Sequence, residues 1–296
     1  MTGQINAMTV DVEDYFQVQA FANCVERATW DDFPRRVEDN VDRILGQFDR
    51  AGIHATFFTL GWVAERHPQM VRRIVAAGHE LASHGWDHTR ADSQTPELFR
   101  QDVRRARALL EDVGGVPVTG YRAATFSIGA RNLWAFQVLR DEGYLYSSSV
   151  NPIAHDLYGM PDAPRTPFQP DKNGFWEIPM TTVRAFGRNW PCSGGGYFRL
   201  LPGILYRMGL NRVNTTERRP GIFYFHPWEI DPGQPRIPNA GWKSRLRHYT
   251  NLSRMADDLD VILKAFAWDR MDRVYADLLP PPGAVMAPRE KAPASV

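Results

Sequence analysis

Residues 5–14 read INAMTVDVED, an apolar run that passes directly into a cluster of carboxylates. The apolar part is typical of a strand buried in a parallel sheet. Asp11, Glu13 and Asp14 then fall at the carboxyl end of that strand, where α/β barrels place the side chains that carry chemistry. The stretch therefore predicts a central strand and one part of a functional site.

Strands and helices alternate from this first strand onward. Strand patterns cover residues 54–60, 79–83, 116–121, 144–148, 175–183 and 221–225. Helical patterns cover residues 36–51, 68–77, 95–110, 132–143, 197–208 and, for the most part, 242–266. Such alternation implies parallel strands joined by right-handed crossovers, so we predict an α/β fold.

Composition narrows the class of protein. The 296 residues are 43% hydrophobic and 23% charged, as in a folded domain. Lys and Arg number 35 against 34 Asp and Glu, and no basic block occurs, so a nucleic-acid partner is not expected. Cys24 and Cys192 lie far apart and in no metal-binding spacing, which favours buried free thiols.

The sequence also predicts location and the less ordered parts of the chain. No secretory signal pattern opens the sequence, and no apolar stretch reaches the roughly 18 residues of a membrane span, so we expect a cytoplasmic protein without a transmembrane segment. The Pro- and Ala-rich residues 280–296 predict a disordered tail, and residues 151–173 a long surface loop or lid.

Two histidines carry the clearest chemical signal. His84 and His88 occur in SHGWDHT, just past a predicted strand, and their spacing allows both imidazoles to meet one ion. The alternative is a pair on a solvated face. The acidic cluster 11–14 favours the ion, because carboxylates held together without a cation raise one another's pKa. The alternative role for this acidic cluster is to cap the N-terminus of a helix.

Five ordered motifs resemble those of the NodB-homology polysaccharide deacetylases, carbohydrate esterase family 4. The matching segments are TVDVED (9–14), SHGWDHT (83–89), GYRAA (120–124), YSSS (146–149) and YFHP (224–227). The segments DVEDYF and GGGYFR are similar to the subgroup found beside exopolysaccharide and exosortase loci. The resemblance implies a single catalytic domain over residues 1–279, a distorted (β/α) barrel of about seven strands, with a C-terminal extension from about residue 185.

The resemblance also implies a reaction. Family members are metal-dependent hydrolases that remove N-acetyl groups from N-acetylhexosamine units of a glycan, here in exopolysaccharide biosynthesis with peripheral association to polysaccharide assembly. Two histidines and one carboxylate hold the ion, which assigns His84 and His88 as ligands. Zinc is the expected ion, and such sites also take cobalt, iron, nickel or manganese.

The carboxylate assignment has three readings in the first motif. Aligning Glu13-Asp14 with the family's Asp-Asp pair makes Glu13 the base and Asp14 the ligand. An Asp-x-Asp variant instead makes Asp11 the base and Glu13 the ligand. We favour Asp14 as ligand and Asp11 as base, since residues three apart at a strand end can face an ion and a water from different sides.

The remaining catalytic roles follow from the later motifs. Arg122 matches the arginine that holds the catalytic carboxylate, and His226 matches the general acid. Two departures stand out: the family's Pro-Tyr is replaced by Ala124 and Thr125, and the aspartate that supports the acid is replaced by Ser147. Another carboxylate, such as Asp156, is expected to take its place.

Aromatic residues beside the motifs are candidates for stacking on sugar rings. We assign this role to Trp86, Tyr121 and Trp228, with burial in the core as the alternative.

Two rival functions share parts of the pattern of motifs. A related barrel with a variant acidic motif could open a cyclic amide such as allantoin, and a degenerate site could bind a glycan without catalysis.

Overall fold

The computed structural model describes residues 3–156 and 158–279. Ten strands occur in this part of the chain: β1 Ile5–Val12, β2 Thr56–Thr59, β3 Glu80–Ser83, β4 Gly120–Tyr121, β5 Tyr146–Ser147, β6 Trp176–Glu177, β7 Thr182–Ala185, β8 Arg188–Pro191, β9 Ile222–Phe225 and β10 Ala267–Asp269. Ten α-helices accompany them: α1 Val37–Ala51, α2 Gly61–Arg66, α3 Pro68–Ala76, α4 Pro96–Gly114, α5 Trp134–Asp141, α6 Gly195–Leu200, α7 Gly203–Thr215, α8 Trp242–Tyr249, α9 Leu252–Ala265 and α10 Met271–Val274.

Eight of the strands form one sheet, and every pairing in it is parallel. Seven of them follow the order β9-β1-β2-β3-β4-β5-β6, while the short β10 pairs with the beginning of β1. In the described residues β6 and β9 do not pair. The segment between them bridges the gap, with the Tyr224 amide donating to the Ser193 carbonyl over 2.8 Å. The sheet is the predicted distorted barrel.

The helices that pack on the sheet are amphipathic. In α1, Val41, Ile44 and Phe48 are buried, and Gly52 ends the helix with a φ of 65° that favours glycine. The α4 helix begins at a Thr95 side chain that accepts the Leu98 amide. These helices cover one side of the sheet and leave the carboxyl ends of its strands free to carry the site.

Three predicted elements are divided in the structure. The strand predicted over residues 175–183 stops at Glu177 and resumes as β7, because Pro179 cannot donate to a sheet ladder. The strand β7 then forms an antiparallel hairpin with β8. The helix predicted over 197–208 breaks at Pro202 into α6 and α7, and the segment 242–266 breaks at Asn251, whose φ is 56°.

Other expectations concern the loop, the tail and the cysteines. Residues 151–173 contain no helix or longer strand within their described part, as expected of a loop. The predicted tail, residues 280–296, lies outside the described residues. Cys192 is buried, but Cys24 is exposed, so the prediction of two buried thiols is wrong for Cys24. In the described ranges, no helix is both long and apolar enough to cross a bilayer.

Candidate metal centre and catalytic residues

Three side chains at the carboxyl ends of β1 and β3 converge on one point. The ligand atoms of Glu13, His84 and His88 all lie within 4.8 Å of one another, and all three residues are buried. The Nε2 of His88 is 2.9 Å from the Oε2 of Glu13. The strands β1 and β3 lie on either side of β2 in the sheet, which explains how Glu13 and His84, 71 positions apart in the chain, come together.

The backbone fixes the positions of both imidazoles. The Nδ1 of His84 donates to the Arg122 carbonyl over 2.8 Å, which leaves Nε2 as the free nitrogen. Burial lowers the pKa of His84 to about 4, so the ring is neutral, the form that binds metal ions. His88 has a φ of 60°, and the turn before it passes through Gly85 at a φ of 78°. This left-handed turn brings the second imidazole back toward the first.

The donor set fits a divalent cation. The Oε2 of Glu13 is buried and, apart from its ion-pair contact with the His88 Nε2, has no hydrogen-bond partner among the described residues. Burial alone would raise the pKa of Glu13, but His88 and His226 outweigh it and lower this pKa to about 2. An ionised, unsatisfied buried oxygen facing two imidazoles is the arrangement that a bound cation would satisfy.

Asp14 does not lie where its predicted role as metal ligand would place it. Its Oδ2 accepts the amides of Arg36 and Val37 over 2.7 and 3.1 Å, at the start of α1, and its Oδ1 accepts the Tyr15 amide over 2.9 Å. Both oxygens are therefore engaged by backbone donors, and Asp14 is not part of the group of ligand atoms around the histidine pair. The structure brings Glu13 into the cluster in its place, as the Asp-x-Asp reading requires.

Asp11 lies beside the cluster and is paired with Arg122. The Nη1 of Arg122 is 2.6 Å from the Asp11 Oδ1 and 2.8 Å from the Thr9 Oγ1. Its Nε donates to the Ser148 carbonyl over 3.1 Å, and the guanidinium lies 4.1 Å from the Phe58 ring centroid. The arginine is fully buried, so the ion pair is held rigidly and keeps the carboxylate in one position.

His226 approaches the cluster from β9. Its Nε2 is 3.5 Å from the Glu13 Oε1, and its Nδ1 is 2.8 Å from the Glu229 Oε1. Glu229 is in turn bonded to the Arg199 Nε over 2.7 Å. Burial alone would lower the pKa of His226, but Glu13 and Glu229 raise it to about 9. The supporting carboxylate expected for the acid is therefore Glu229.

Asp156 does not support His226. Its side chain is exposed and pairs with Arg247 over 3.2 Å. Sequence reasoning missed Glu229 although it stands three residues after His226, a spacing that puts both side chains on one side of a tight turn. The short helical turn after β9 is the signal that could have revealed it.

The three aromatic candidates have different positions. Trp228 is buried between two imidazoles, with ring centroids 5.1 Å from His226 and 4.0 Å from His248, and its Nε1 donates to Glu13 over 3.2 Å. Tyr121 is buried in the core. Trp86 packs with its ring 3.3 Å from the Arg105 guanidinium. Only Trp228 borders the cluster, and it does so as a support for His226 and Glu13.

The segment that replaces the expected Pro-Tyr has an unusual backbone. Thr125 has a φ of 56° and Phe126 a φ of 48°, both in the left-handed region. The Thr125 hydroxyl is buried and has no hydrogen-bond partner among the described residues. It lines a cavity of about 140 Å³ over the cluster, and the other lining residues include Asp11, Glu13, His84, His88, Phe126, Tyr158, Tyr224, His226 and Trp228.

Two family models match the chain in succession. Residues 27–146 match the polysaccharide deacetylase model, and residues 148–276 match a domain of unknown function, DUF3473. His84, His88 and Arg122 lie in the first match and His226 and Glu229 in the second. The β1 carboxylates precede both, so the candidate site is assembled from three segments of the chain.

Curated relatives match only part of the chain. It is 34% identical over 77 residues to the peptidoglycan-N-acetylglucosamine deacetylase PgdA of Listeria monocytogenes, which is 26% of this chain and 16% of that protein. It is 40% identical over 80 residues to the chitooligosaccharide deacetylase of Sinorhizobium fredii, 26% of this chain and 33% of that protein. The chain thus spans a third or less of each relative.

A solved structure matches nearly the whole fold. A candidate polysaccharide deacetylase from Mycobacterium smegmatis superposes with a TM-score of 0.61 over 99% of this chain and 96% of that one. The two are 18% identical, so this likeness shows a shared fold alone. Residues 27–146 are thus similar to polysaccharide deacetylases, and residues 148–276 are similar to a domain of unknown function, DUF3473.

Proposed function

We propose that the protein is a metal-dependent N-deacetylase of a glycan, a hydrolase of a carbon–nitrogen bond outside peptides. The observation that carries the proposal is the cluster of Glu13, His84 and His88 under one cavity, with Asp11 and His226 on its walls. Acetamide hydrolysis needs an electrophilic aid, a base and an acid, and this cavity offers a candidate for each.

The cation would be held by Glu13, His84 and His88. Two imidazole nitrogens and one carboxylate oxygen suit zinc first, with cobalt, iron, nickel and manganese as the alternatives. When bound, such an ion polarises an acetyl carbonyl and lowers the pKa of a water molecule. This assignment moves the carboxylate ligand from Asp14, favoured from sequence, to Glu13.

The proton transfers are assigned to the walls of the cavity. Asp11 is the base that takes a proton from the attacking water, and the buried Arg122 keeps its carboxylate oriented toward the cavity. His226 is the acid that protonates the leaving amine. Its Nδ1 is occupied by Glu229, so the Nε2 is the nitrogen that faces the reaction.

The substrate class is the finer part of the proposal. The names of the two relatives, a peptidoglycan-N-acetylglucosamine deacetylase and a chitooligosaccharide deacetylase, support an N-acetylhexosamine unit as the substrate here. The DVEDYF and GGGYFR segments support a polymer of the exopolysaccharide class. A cyclic-amide hydrolase would be favoured by an arginine lining the cavity, and the described lining residues include none.

Acetate release from N-acetylated oligosaccharides tests the proposal. The purified chain is assayed against a panel of these substrates, with a chelator and then with added divalent ions. We expect release that the chelator abolishes and zinc restores. Elemental analysis of the same samples gives the bound ion.

Two results would overturn this proposal. Release that is unchanged in His84→Ala and His88→Ala variants would mean that the cluster takes no part in the reaction. Glycan binding by a protein that carries no ion and releases no acetate would support the non-catalytic alternative.

A further inference from the structure

A second surface of the molecule exposes an unusual amount of apolar area. It is formed by the β7–β8 hairpin and the helices α6 and α7, and we call it the hairpin–helix face. Of the thirteen exposed large apolar side chains in the described residues, seven fall within residues 186–208: Phe186, Trp190, Leu200, Leu201, Ile204, Leu205 and Met208. Phe186, at the tip of the hairpin, is 96% exposed. Apolar patches of this kind mark interaction surfaces.

The α7 helix shows why this face needs a partner. Tyr206 and Leu210 are buried against the body of the protein, while Ile204, Leu205 and Met208 are exposed on the outer side. A helix that is apolar on both sides is normally covered on both sides. In the described residues nothing covers the outer side of α7, which leaves this side open to a partner.

A groove joins the hairpin to the helices. A cavity of about 830 Å³ is lined by Arg184, Arg188 and Trp190 from the hairpin and by Leu201 and Leu205 from the helices, among others. The exposed apolar side chains therefore belong to one continuous face. Their arrangement combines a protruding tip, a groove and a helix side.

The charged side chains of this face are mostly arginines. Residues 178–216 contain five arginines and neither Asp nor Glu. Arg199 is buried with Glu229. The other four, Arg184, Arg188, Arg207 and Arg212, are exposed, and none pairs with a carboxylate in the described part of the chain. Asp162 is the carboxylate that lines the groove. Some exposed arginines elsewhere have such partners, as Arg104 has Glu142 at 2.7 Å, whereas others, such as Arg50 and Arg72, pair with no carboxylate in the described residues.

We propose that the hairpin–helix face docks on the surface of an anionic lipid bilayer. Exposed aliphatic and aromatic side chains insert at the boundary between headgroups and acyl chains, and tryptophan is enriched at that depth. The unpaired arginines meet lipid phosphates, which supply the missing negative charge. A second copy of the chain fits less well, because a two-fold contact would bring the same arginines together.

The docking face adjoins the catalytic cavity. Tyr197 lines the groove and is hydrogen-bonded to Tyr158, which lines the cavity over the candidate metal cluster. The α6 helix also carries Arg199, which holds Glu229. Docking would therefore place the cavity beside the bilayer. The inference gives part of the DUF3473 segment a role and does not depend on the reaction proposed above.

Flotation with lipid vesicles tests the inference. The full chain is mixed with vesicles of phosphatidylcholine alone or with phosphatidylglycerol added, and the bound fraction is measured with Trp fluorescence as a second readout. We expect binding that needs phosphatidylglycerol and weakens with salt. Arg184→Gln with Arg188→Gln should lower the partition coefficient about tenfold or more, and Phe186→Ser with Met208→Ser should lower it comparably.

Matched variants provide the controls. Trp242→Ser with Leu246→Ser removes exposed apolar side chains of α8, and Arg50→Gln with Arg72→Gln removes exposed charges of α1 and α3. Both should bind vesicles as the unchanged protein does, and circular dichroism should show that all variants fold. Absence of vesicle binding, or equal losses in test and control variants, would overturn the inference. So would a dimer that the hairpin–helix variants dissociate while vesicles bind nothing.

Discussion

Glu13 and Asp14 are adjacent in the chain and equally buried, yet their surroundings differ. Asp14 accepts three backbone amides, while the Glu13 Oε2 accepts none and faces two imidazoles. Three amides already occupy most of the lone-pair sites of the Asp14 carboxylate, so hydrogen bonds satisfy its charge without an ion. The difference in hydrogen bonding therefore separates a structural role from a ligand role.

Paired isosteric variants test this separation. Glu13→Gln should lower the affinity for a divalent ion about tenfold to a hundredfold, with matching loss of acetate release, because it replaces an anionic donor by a neutral one. Asp14→Asn should keep the ion and lose about 1 kcal/mol of stability, because it weakens the cap at the start of α1. Ion titration and urea unfolding measure both. Loss of the ion from the Asp14 variant alone would reverse the assignment.

The α6 helix offers two neighbouring glycines with opposite tolerance. A Cβ on Gly195 would lie 2.5 Å from the Glu229 Oε1, whereas one on Gly196 would have no atom within 4 Å. Glu229 cannot move aside freely, since Arg199 and His226 hold it. The close approach of α6 to the turn after β9 therefore requires glycine at the first position only.

We expect Gly195→Ala to lower kcat about tenfold or more by displacing the partner of His226, with a smaller effect on KM. Gly196→Ala should leave kcat unchanged and shift stability by less than about 1 kcal/mol. Steady-state kinetics and thermal unfolding compare the two variants. Equal activity of both would show that Glu229 does not position the acid.

Glu177 ties β6 to the segment that follows β5. It is fully buried, and its Oε1 accepts the amides of Ser149 and Val150 over 2.9 and 2.8 Å. Burial raises its pKa from 4.5 to about 7, and the hydrogen bonds to Ser147 and these amides offset only part of that shift. A folded-state pKa above the unfolded value means that this residue destabilises the fold as pH rises from about 4.5 to 7.

The stability of the Glu177→Gln variant, relative to the unchanged protein, should therefore increase as pH rises. Near pH 4 the two should have similar stability, because Glu177 is then mostly protonated in both the folded and the unfolded chain. Above pH 7 the variant should be more stable, by an amount on the order of 3 kcal/mol at most for such a shift. Urea unfolding at both pH values measures the difference. A difference that does not grow with pH would contradict the raised pKa.

Residues from several strands and one helix of the fold meet at the candidate metal centre. Its ligands come from the ends of β1 and β3, while the supporting residues come from β4, β9 and α6. A cation bound only by the folded chain stabilises that chain by mass action. Metal loading and global stability should therefore be linked.

Addition of zinc to chelator-treated protein should raise the unfolding free energy by about 2.7 kcal/mol at a free ion concentration about a hundredfold above its dissociation constant. Thermal unfolding then shifts by several degrees. A double variant, His84→Ala with His88→Ala, is the control and should show no shift. An equal shift in that variant would place the ion elsewhere.

Local pattern was enough to predict most elements and the two histidines. Strand β1 is predicted because its apolar run ends in charge, and α1 is predicted because its apolar residues recur on one side before Gly52. The pattern failed where proline divides an apolar run, at Pro179 and Pro202. There each half of the run is too short to reveal its own period.

The sequence by itself determined the alternation of strands and helices, the carboxyl-end position of the motifs and the pairing of His84 with His88, because these depend on neighbours within a few residues. Only the tertiary structure decided that Glu13 joins them, that Asp14 caps α1 and that Glu229 supports His226. These roles depend on hydrogen-bond donors from residues 22 or more positions away, or on the shape of a single turn. No local pattern encodes which of three neighbouring carboxylates those donors reach.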